Sequence, residues 1–326
     1  MNSTFYIVTP SYNCARYIDA TILSVVTQAG DFTIHYHVQD GGSSDGTQEK
    51  LRGWEERLKA PSPWVFCNGL TFTWDSAPDK GMYDAVNQGF ARQAAPPDGI
   101  MAWMNSDDEY MPHAFSTAAK AFKDIPDMEW FGGVTDVVCE TGALKHFPEY
   151  RQPYPTELIR GHCCGGGHWR VLQQNGIFWK GTLWQKAGPL NAALRYAGDF
   201  EFWPRVAGHA DFLHFPVVLG TFRSREGQLS RSGQYRAEME QVCPAAAREA
   251  AVRAFWKKQK GAPLAPALCL DEQGNFSRCQ RKTLPDPEPR DLWWKRLLRS
   301  VLPSKAIDII KRIRQRVRIG RKGCCD

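Results

Sequence analysis

No apolar run in this chain approaches the roughly 20 residues that a membrane-spanning helix needs. The segment Met1 to Gly30 has no basic stretch followed by an apolar one, the pattern of a secretory leader. The expectation is a chain without a leader or a span. Its ten cysteines follow no regular framework, which suggests a reducing, cytoplasmic compartment. Two adjacent pairs, Cys163-Cys164 and Cys324-Cys325, stand out but do not have a zinc spacing. Internal repeats and low-complexity tracts are also lacking. What is present is core material: 326 residues, 43% of them hydrophobic and 12 of them Trp, enough for one large domain with appendages.

Charge is unevenly placed. The net value is +6, but Asp291 to Lys322 holds 11 Lys or Arg against two Asp, a local +9 that leaves −3 for the rest. The body is slightly acidic and the tail strongly basic. Between them, residues 261–290 carry Pro263, Pro266, Pro285, Pro287 and Pro289 and read as a linker with one small hairpin. The expected organisation is a domain over 1–260, a linker over 261–290 and a tail over 291–326.

The opening reads as alternating strands and helices. "TFYIVTPSYN" is a β-rich run, followed by Ile18, Ile22, Val25 and Val26 at helical spacing. A second strand, Ile34 to Val38, leads into "QDGGSSDGT", and a second helical segment runs from about Gln48 to Leu58. Further on, the apolar run Ile100 to Met104 turns abruptly into Asn105, Ser106, Asp107, Asp108 and Glu109. In open α/β sheets ligands bind beyond the carboxyl ends of the strands, so these loops are expected to converge on one crevice. Singly, each has a plainer reading: a Gly-Ser turn with Asp45 capping a helix, or a solvated acidic turn.

Five segments in order resemble the family 2 glycosyltransferases of the GT-A fold: "VTPSYNCARYIDATILSVVTQ" (8–28), "QDGGSSDGT" (39–47), "PDKGMYDAVNQGF" (78–90), "MNSDDEYMP" (104–112) and "GIFWKGTLWQKAGPLNAALRYAGDFEFWPRVA" (176–207). The resemblance implies a Rossmann-like mixed sheet flanked by helices. It also implies transfer of a sugar from a nucleotide-sugar donor, UDP by preference, to a saccharide or lipid-linked acceptor hydroxyl, with inversion. By the same resemblance, Thr9, Pro10, Tyr12, Asp40 and Asp45 line the nucleoside pocket, and Asp79, Asp84 and Asn87 add to the donor side. Asp107 and Asp108 match the acidic motif that holds Mg²⁺ or Mn²⁺ against the donor diphosphate, with Asn105 standing at the motif's first position. A hard cation needs only one or two carboxylates beside substrate phosphates, so the missing acid is compatible with a site. Asp199, in "RYAGDFEFWPR", matches the general base. Glu201 follows two residues later, where a helix rotates it by roughly 200° to another face.

Other features bear on this reading more weakly. His162, Cys163, Cys164 and His168 are zinc-type residues, but the glycines among them suit a loop over the acceptor cleft better. Arg223, Arg225 and Arg231 are candidate phosphate partners, and Lys80 fits either a phosphate contact or a solvated surface. Two rival readings stay open: a sugar-nucleotide pyrophosphorylase, whose Gly-rich, Arg-containing first loop is not seen in "TPSYNCARYI", and a non-enzymatic binding module with a basic tail. No nucleic-acid motif is recognisable. In the tail, Pro303 separates two helical pieces; Ala306, Ile310, Ile313 and Val317 form an apolar stripe with Lys311, Arg312, Arg316 and Arg318 off it. Such a basic amphipathic helix beside Trp293 and Trp294 suits an anionic membrane surface. The expected place is the cytoplasmic face of the cell membrane.

Overall fold

The computed structural model describes residues 3–59, 62–145, 152–166, 169–226, 228 and 233–283. Met1–Thr283 form one compact unit and Leu284–Asp326 a second. The expected amphipathic tail falls in that second unit, outside the described residues.

The order of elements is β1 (Ser3–Ser11), α1 (Ile18–Val26), β2 (Gly30–Asp40), α2 (Thr47–Arg57), β3 (Cys67–Ser76), α3 (Met82–Gln93), β4 (Ile100–Trp103) and β5 (Glu109–Tyr110). There follow α4 (Ala114–Asp124), β6 (Trp130–Cys139), β7 (Leu144–Lys145), α5 (Thr156–Arg160), β8 (Cys164–Gly166), β9 (Ile177–Lys180), α6 (Gly181–Ala187) and α7 (Gly198–Ala207). The described chain closes with β10 (Leu213–Ser224), α8 (Gly233–Val242), α9 (Ala245–Lys258), β11 (Leu264–Leu270) and β12 (Phe276–Lys282).

The main sheet runs β12-β11-β10-β6-β9-β4-β1-β2-β3. β1, β2, β3 and β4 are mutually parallel where they pair, and β9 lies antiparallel between β4 and β6. β1 and β4 are covered on both faces, which accounts for their near-continuous apolar runs. Because β1 to β4 are parallel, Ser11, Asp40, Ser76 and Trp103 all fall at one edge of the sheet. Four loops therefore leave from the same edge, one more than the three recognised in the sequence.

The linker expectation is revised at its start. The hairpin within it is β11–β12, and β11 pairs in parallel with β10 through His214 and Ala267, so the compact unit continues past Lys260 to Thr283. Cys269 and Cys279 form a disulfide across this hairpin. β10 carries Pro216, which cannot donate to a ladder, and its pairing with β6 shifts register between His214 and Gly220. Beyond that irregularity β10 resumes pairing at Gly220–Ser224 and also accepts β5 at Gly220 and Thr221.

The core is aromatic on both faces of the sheet. Phe5 stacks on Phe115 of α4 at 4.6 Å, and Trp103 stacks on Trp203 of α7 at 5.3 Å with the rings 5° from parallel. Trp179 of β9 contacts the rings of Phe90, Trp103, Trp184, Phe202 and Trp203, joining α3, α6 and α7 to the sheet. Trp179→Ala should therefore cost about 3–5 kcal/mol by loss of packing and creation of a cavity, measured as a lowered urea midpoint with an unchanged slope.

Candidate active site

The four strand-end loops enclose a cavity of about 990 Å³. Its walls include Pro10, Ser11 and Tyr12 after β1, Gly41 after β2, Pro78 to Gly81 after β3, and Asn105 to Asp107 after β4. The opposite wall is formed by Gln173 and Gln174, Arg195 to Asp199 in part, Arg225, Gln228 and Tyr235.

The first two loops are braced against each other by short polar side chains. Asp40 is fully buried; its carboxylate accepts the amides of Gly42 and Ser43 and the hydroxyls of Ser43 and Ser76, at 2.5–3.2 Å. Asp45 accepts the Ala15 amide at 2.9 Å and the amide and hydroxyl of Thr47, tying the β1 loop to the start of α2. Asn13 completes the brace, its amide donating to Ser43 Oγ and its side-chain oxygen accepting from Ser44. Thr9 lies behind the wall, its hydroxyl 3.0 Å from that of Tyr36. Of the residues expected at the nucleoside, Pro10 and Tyr12 face the cavity, while Thr9, Asp40 and Asp45 shape the loops behind it.

The donor-side residues divide in the same way. Asp79 lines the cavity and lies so close to Gly41 that a Cβ there would sit 2.8 Å from its Oδ2. Burial raises its carboxyl above the ordinary value, and Asp84 and Asp40 add to the rise. Asp84 instead accepts the Lys80 amide and the Gln88 side chain. Asn87 exchanges two hydrogen bonds with the backbone of Leu190, at 2.8 and 3.0 Å, and fixes the loop after α6.

The acidic run after β4 splits. Asp107 faces the cavity and pairs with Arg225, Nε to Oδ2 at 2.6 Å. Asp108 turns into the protein, where its Oδ1 accepts the Arg223 amide at 2.8 Å. Burial, then the nearby Asp107 charge, pushes the Asp108 carboxyl well above the usual range. Arg223 also bonds the Asp107 carbonyl and pairs with Glu109, and both guanidinium groups lie over the Tyr17 ring at 5.3 and 5.6 Å. The two acids expected together at a metal are thus separated: one on the wall, one bracing β10.

Among the described residues, no group of three His, Cys, Asp or Glu is arranged to hold a metal ion. Beside Asp107, however, the buried side-chain oxygen of Asn105 has no hydrogen-bond partner among the described residues, and Asn105 lines the same cavity. An amide oxygen and a carboxylate are hard donors suited to Mg²⁺ or Mn²⁺ when phosphates and water complete the shell. The residues fit a cation that arrives with its substrate. His162 packs on Phe200 at 5.4 Å, and burial pushes the Cys163 thiol up to about 12, a poor state for ligation. His168 and Arg231 lie outside the described residues.

Across the cavity, Asp199 sits in the first turn of α7, one residue past Gly198. Its Oδ1 accepts the Phe200 amide at 2.8 Å and lies 3.2 Å from the Tyr83 hydroxyl and 3.4 Å from that of Tyr235. Burial raises its carboxyl to about 6, and the hydrogen bonds only partly counter this. Gly198 is required for the approach, since a Cβ would meet the Tyr83 ring at 2.6 Å. Glu201 is held on another face by a two-pronged pair with Arg205. Tyr83, Trp103, Arg195 and Tyr235 belong to the site but escaped sequence reasoning. Tyr83 lies inside a motif segment, yet nothing in its local pattern separates it from a core tyrosine.

The model of glycosyl transferase family 2 matches residues 6–166, which include all four strand-end loops and, in the last of them, Asp107. This stretch is a family 2 glycosyltransferase domain. Uncharacterized glycosyltransferases from two strains of Mycobacterium tuberculosis are each 29% identical over 207 residues, 63% of this chain and 69% of theirs. Among solved structures, S. aureus TarS residues 1–349 in complex with UDP-GlcNAc superimpose with a TM-score of 0.56 at 15% identity, over 78% of this chain and 72% of that one. The same protein in complex with UDP gives 0.55 at 13% identity, over 78% and 71%. The fold is that of the GT-A glycosyltransferases, and the chain is a glycosyltransferase. Asp199 lies beyond the matched stretch and enters the glycosyltransferase cavity only through the fold.

A carboxyl whose folded pKa is raised keeps its proton longer in the native state than in the unfolded chain. Stability therefore falls as pH rises from the ordinary carboxylate range through about 6. Asp199→Asn should accordingly stabilise the protein on the order of 1 kcal/mol above pH 6, with the gain vanishing near pH 4, as read from urea midpoints across pH.

Proposed function

We propose that this glycosyltransferase moves a sugar from a UDP-linked donor to an acceptor hydroxyl with inversion, using Asp199 as general base. The observation that carries the reading is the placement of Asp199, its carboxyl raised to about 6, across one cavity from the strand-end loops and Asp107. A base of this kind accepts the acceptor hydroxyl's proton as the oxygen attacks the anomeric carbon and the bond to the nucleoside diphosphate breaks. Turnover then rises with pH through about 6 as the carboxylate forms. The TarS structures that hold UDP-GlcNAc and UDP support a uridine nucleotide. In this reading Tyr12 and Asp79, which line the cavity, take the nucleotide side.

Asp107 and the Asn105 oxygen would hold Mg²⁺ or Mn²⁺ with the donor diphosphate. The ion would neutralise charge on the leaving group as a Lewis acid. Asp108 supports this arrangement from behind rather than touching the ion. Arg225, freed from Asp107, is within the same wall and suited to a phosphate oxygen. The acceptor class proposed is a saccharide or lipid-linked saccharide of a bacterial surface polymer. Support for this comes from the basic amphipathic pattern of residues 291–326, which suits peripheral attachment at the cytoplasmic face of the membrane.

A panel of nucleotide sugars with and without Mn²⁺ tests the reading. Asp199→Asn should lower transfer by at least about a hundredfold with donor affinity retained, whereas Asp107→Asn should weaken donor binding and abolish stimulation by Mn²⁺. Full transfer by either variant, or by the wild type in EDTA, would contradict it. Truncation after Thr283 should release the protein from anionic liposomes while leaving the catalytic unit folded; equal liposome binding by the full and truncated chains would exclude the membrane role.

A further inference from the structure

One acidic side chain near the site has no role in the reading above. Glu238 lies on α8, and its carboxylate accepts three consecutive backbone amides of the segment leading into α7. Oε1 takes Arg195 at 2.9 Å, and Oε2 takes Tyr196 at 2.7 Å and Ala197 at 2.8 Å. These N–H groups lie at and just before the helix N-terminus, where they have no partner within the helix and where negative charge is favoured. The next residues are Gly198 and Asp199.

Three residues before Glu238, and so on the same helix face, Tyr235 brings its hydroxyl to Asp199. One residue after it, Met239 is buried against Ala197 and Phe200 in a small apolar cluster separate from the main core. A single face of α8 thus holds the backbone before Asp199, covers its carboxyl and packs on the residue after it.

We propose that Glu238 is the positioning residue for Asp199: through the amides of 195–197 it fixes the first turn of α7 and keeps the carboxyl against Tyr83 and Tyr235. The proposal rests on the reading of Asp199 as the base. A carboxylate suits the task and a neutral amide does not. Two oxygens serve three donors here, and a Gln would turn an NH₂ group toward at least one N–H. Among the described residues the apolar cluster under α8 has three buried members, Ala197, Phe200 and Met239, with Tyr235, Val242 and Cys243 packed against it.

The other ionisable groups around Asp199 are accounted for. Tyr83 faces it from α3, Glu201 is bound by Arg205, and Arg195 precedes it on the cavity wall. His162 and Arg248 of α9 lie against the Phe200 ring rather than on the carboxyl.

The test uses the full chain and needs no substrate. In wild type, carbon-13 NMR of the Asp199 carboxyl should show titration near 6, and the amides of 195–197 should exchange slowly by mass spectrometry. In Glu238→Gln those amides should exchange at least about tenfold faster while β1 and β2 are unchanged, and the carboxyl should titrate nearer the ordinary value of about 4 as water reaches it. Glu238→Asp keeps the charge but loses reach, so it should fall between the two and decides the matter if the Gln variant does not fold. Slow exchange with an Asp199 titration unmoved from wild type in the folded variants would overturn the proposal. Failure of the base reading shows separately, as undiminished sugar transfer by Asp199→Asn.

Discussion

The hydrogen bond from the Arg223 amide to the buried carboxyl of Asp108 holds the two halves of the sheet to one site. It is made where β10, after its break at Pro216, returns to the loop that leaves β4. It lies beside the pairing of β5 with β10 at Gly220 and Thr221. From the same stretch Arg223 reaches Glu109 and the Asp107 carbonyl, and Arg225 the Asp107 carboxylate. There the Asp108 Oδ1 accepts the backbone amide of a β10 residue, joining the β4 loop to that strand. Burial, with the Asp107 charge beside it, raises that carboxyl well above the ordinary range.

The same economy of charge runs through the cavity. Three acids face it, and each is managed differently. Asp107 is neutralised by Arg225, Asp79 is raised by burial and by two neighbouring acids, and Asp199 is raised by burial against two phenols. Asp107 is the acid whose charge a guanidinium on the same wall balances, which eases the approach of a polyanionic donor. Asp199 is different in kind, because an amide and two phenolic hydroxyls on Oδ1 orient it.

Much of the first half was legible because its signals are local. Periodicity located β1, α1, β2 and α2, and the apolar run into Asn105–Glu109 located the end of β4. The motif residues of these loops divide, however, between wall and brace. Asp40, Asp45, Asp84 and Asn87 spend their polar atoms on backbone groups and short side chains of the protein, work that a linear pattern cannot distinguish from ligand contact. Residues 261–290 looked like linker because prolines are dense at both ends, yet the hairpin expected within them is joined to the sheet through β11 and β10. Proline is tolerated where a ladder is incomplete, so composition alone misplaced that boundary.

By itself, the sequence determined the fold class, the parallel strands whose ends carry the loops, and the presence of an acid at each chemically important turn. These follow from period and residue type, which act over a few residues. Only the tertiary structure decided which of two adjacent aspartates faces the cavity, that Arg225 stands beside Asp107, and that Tyr83, Tyr235 and Glu238 surround or support Asp199. Those facts join segments up to 118 residues apart, and their orientation is set by how the aromatic core seats α7 and by where β10 breaks at Pro216. Burial and side-chain direction are properties of that packing, and no local pattern encodes them.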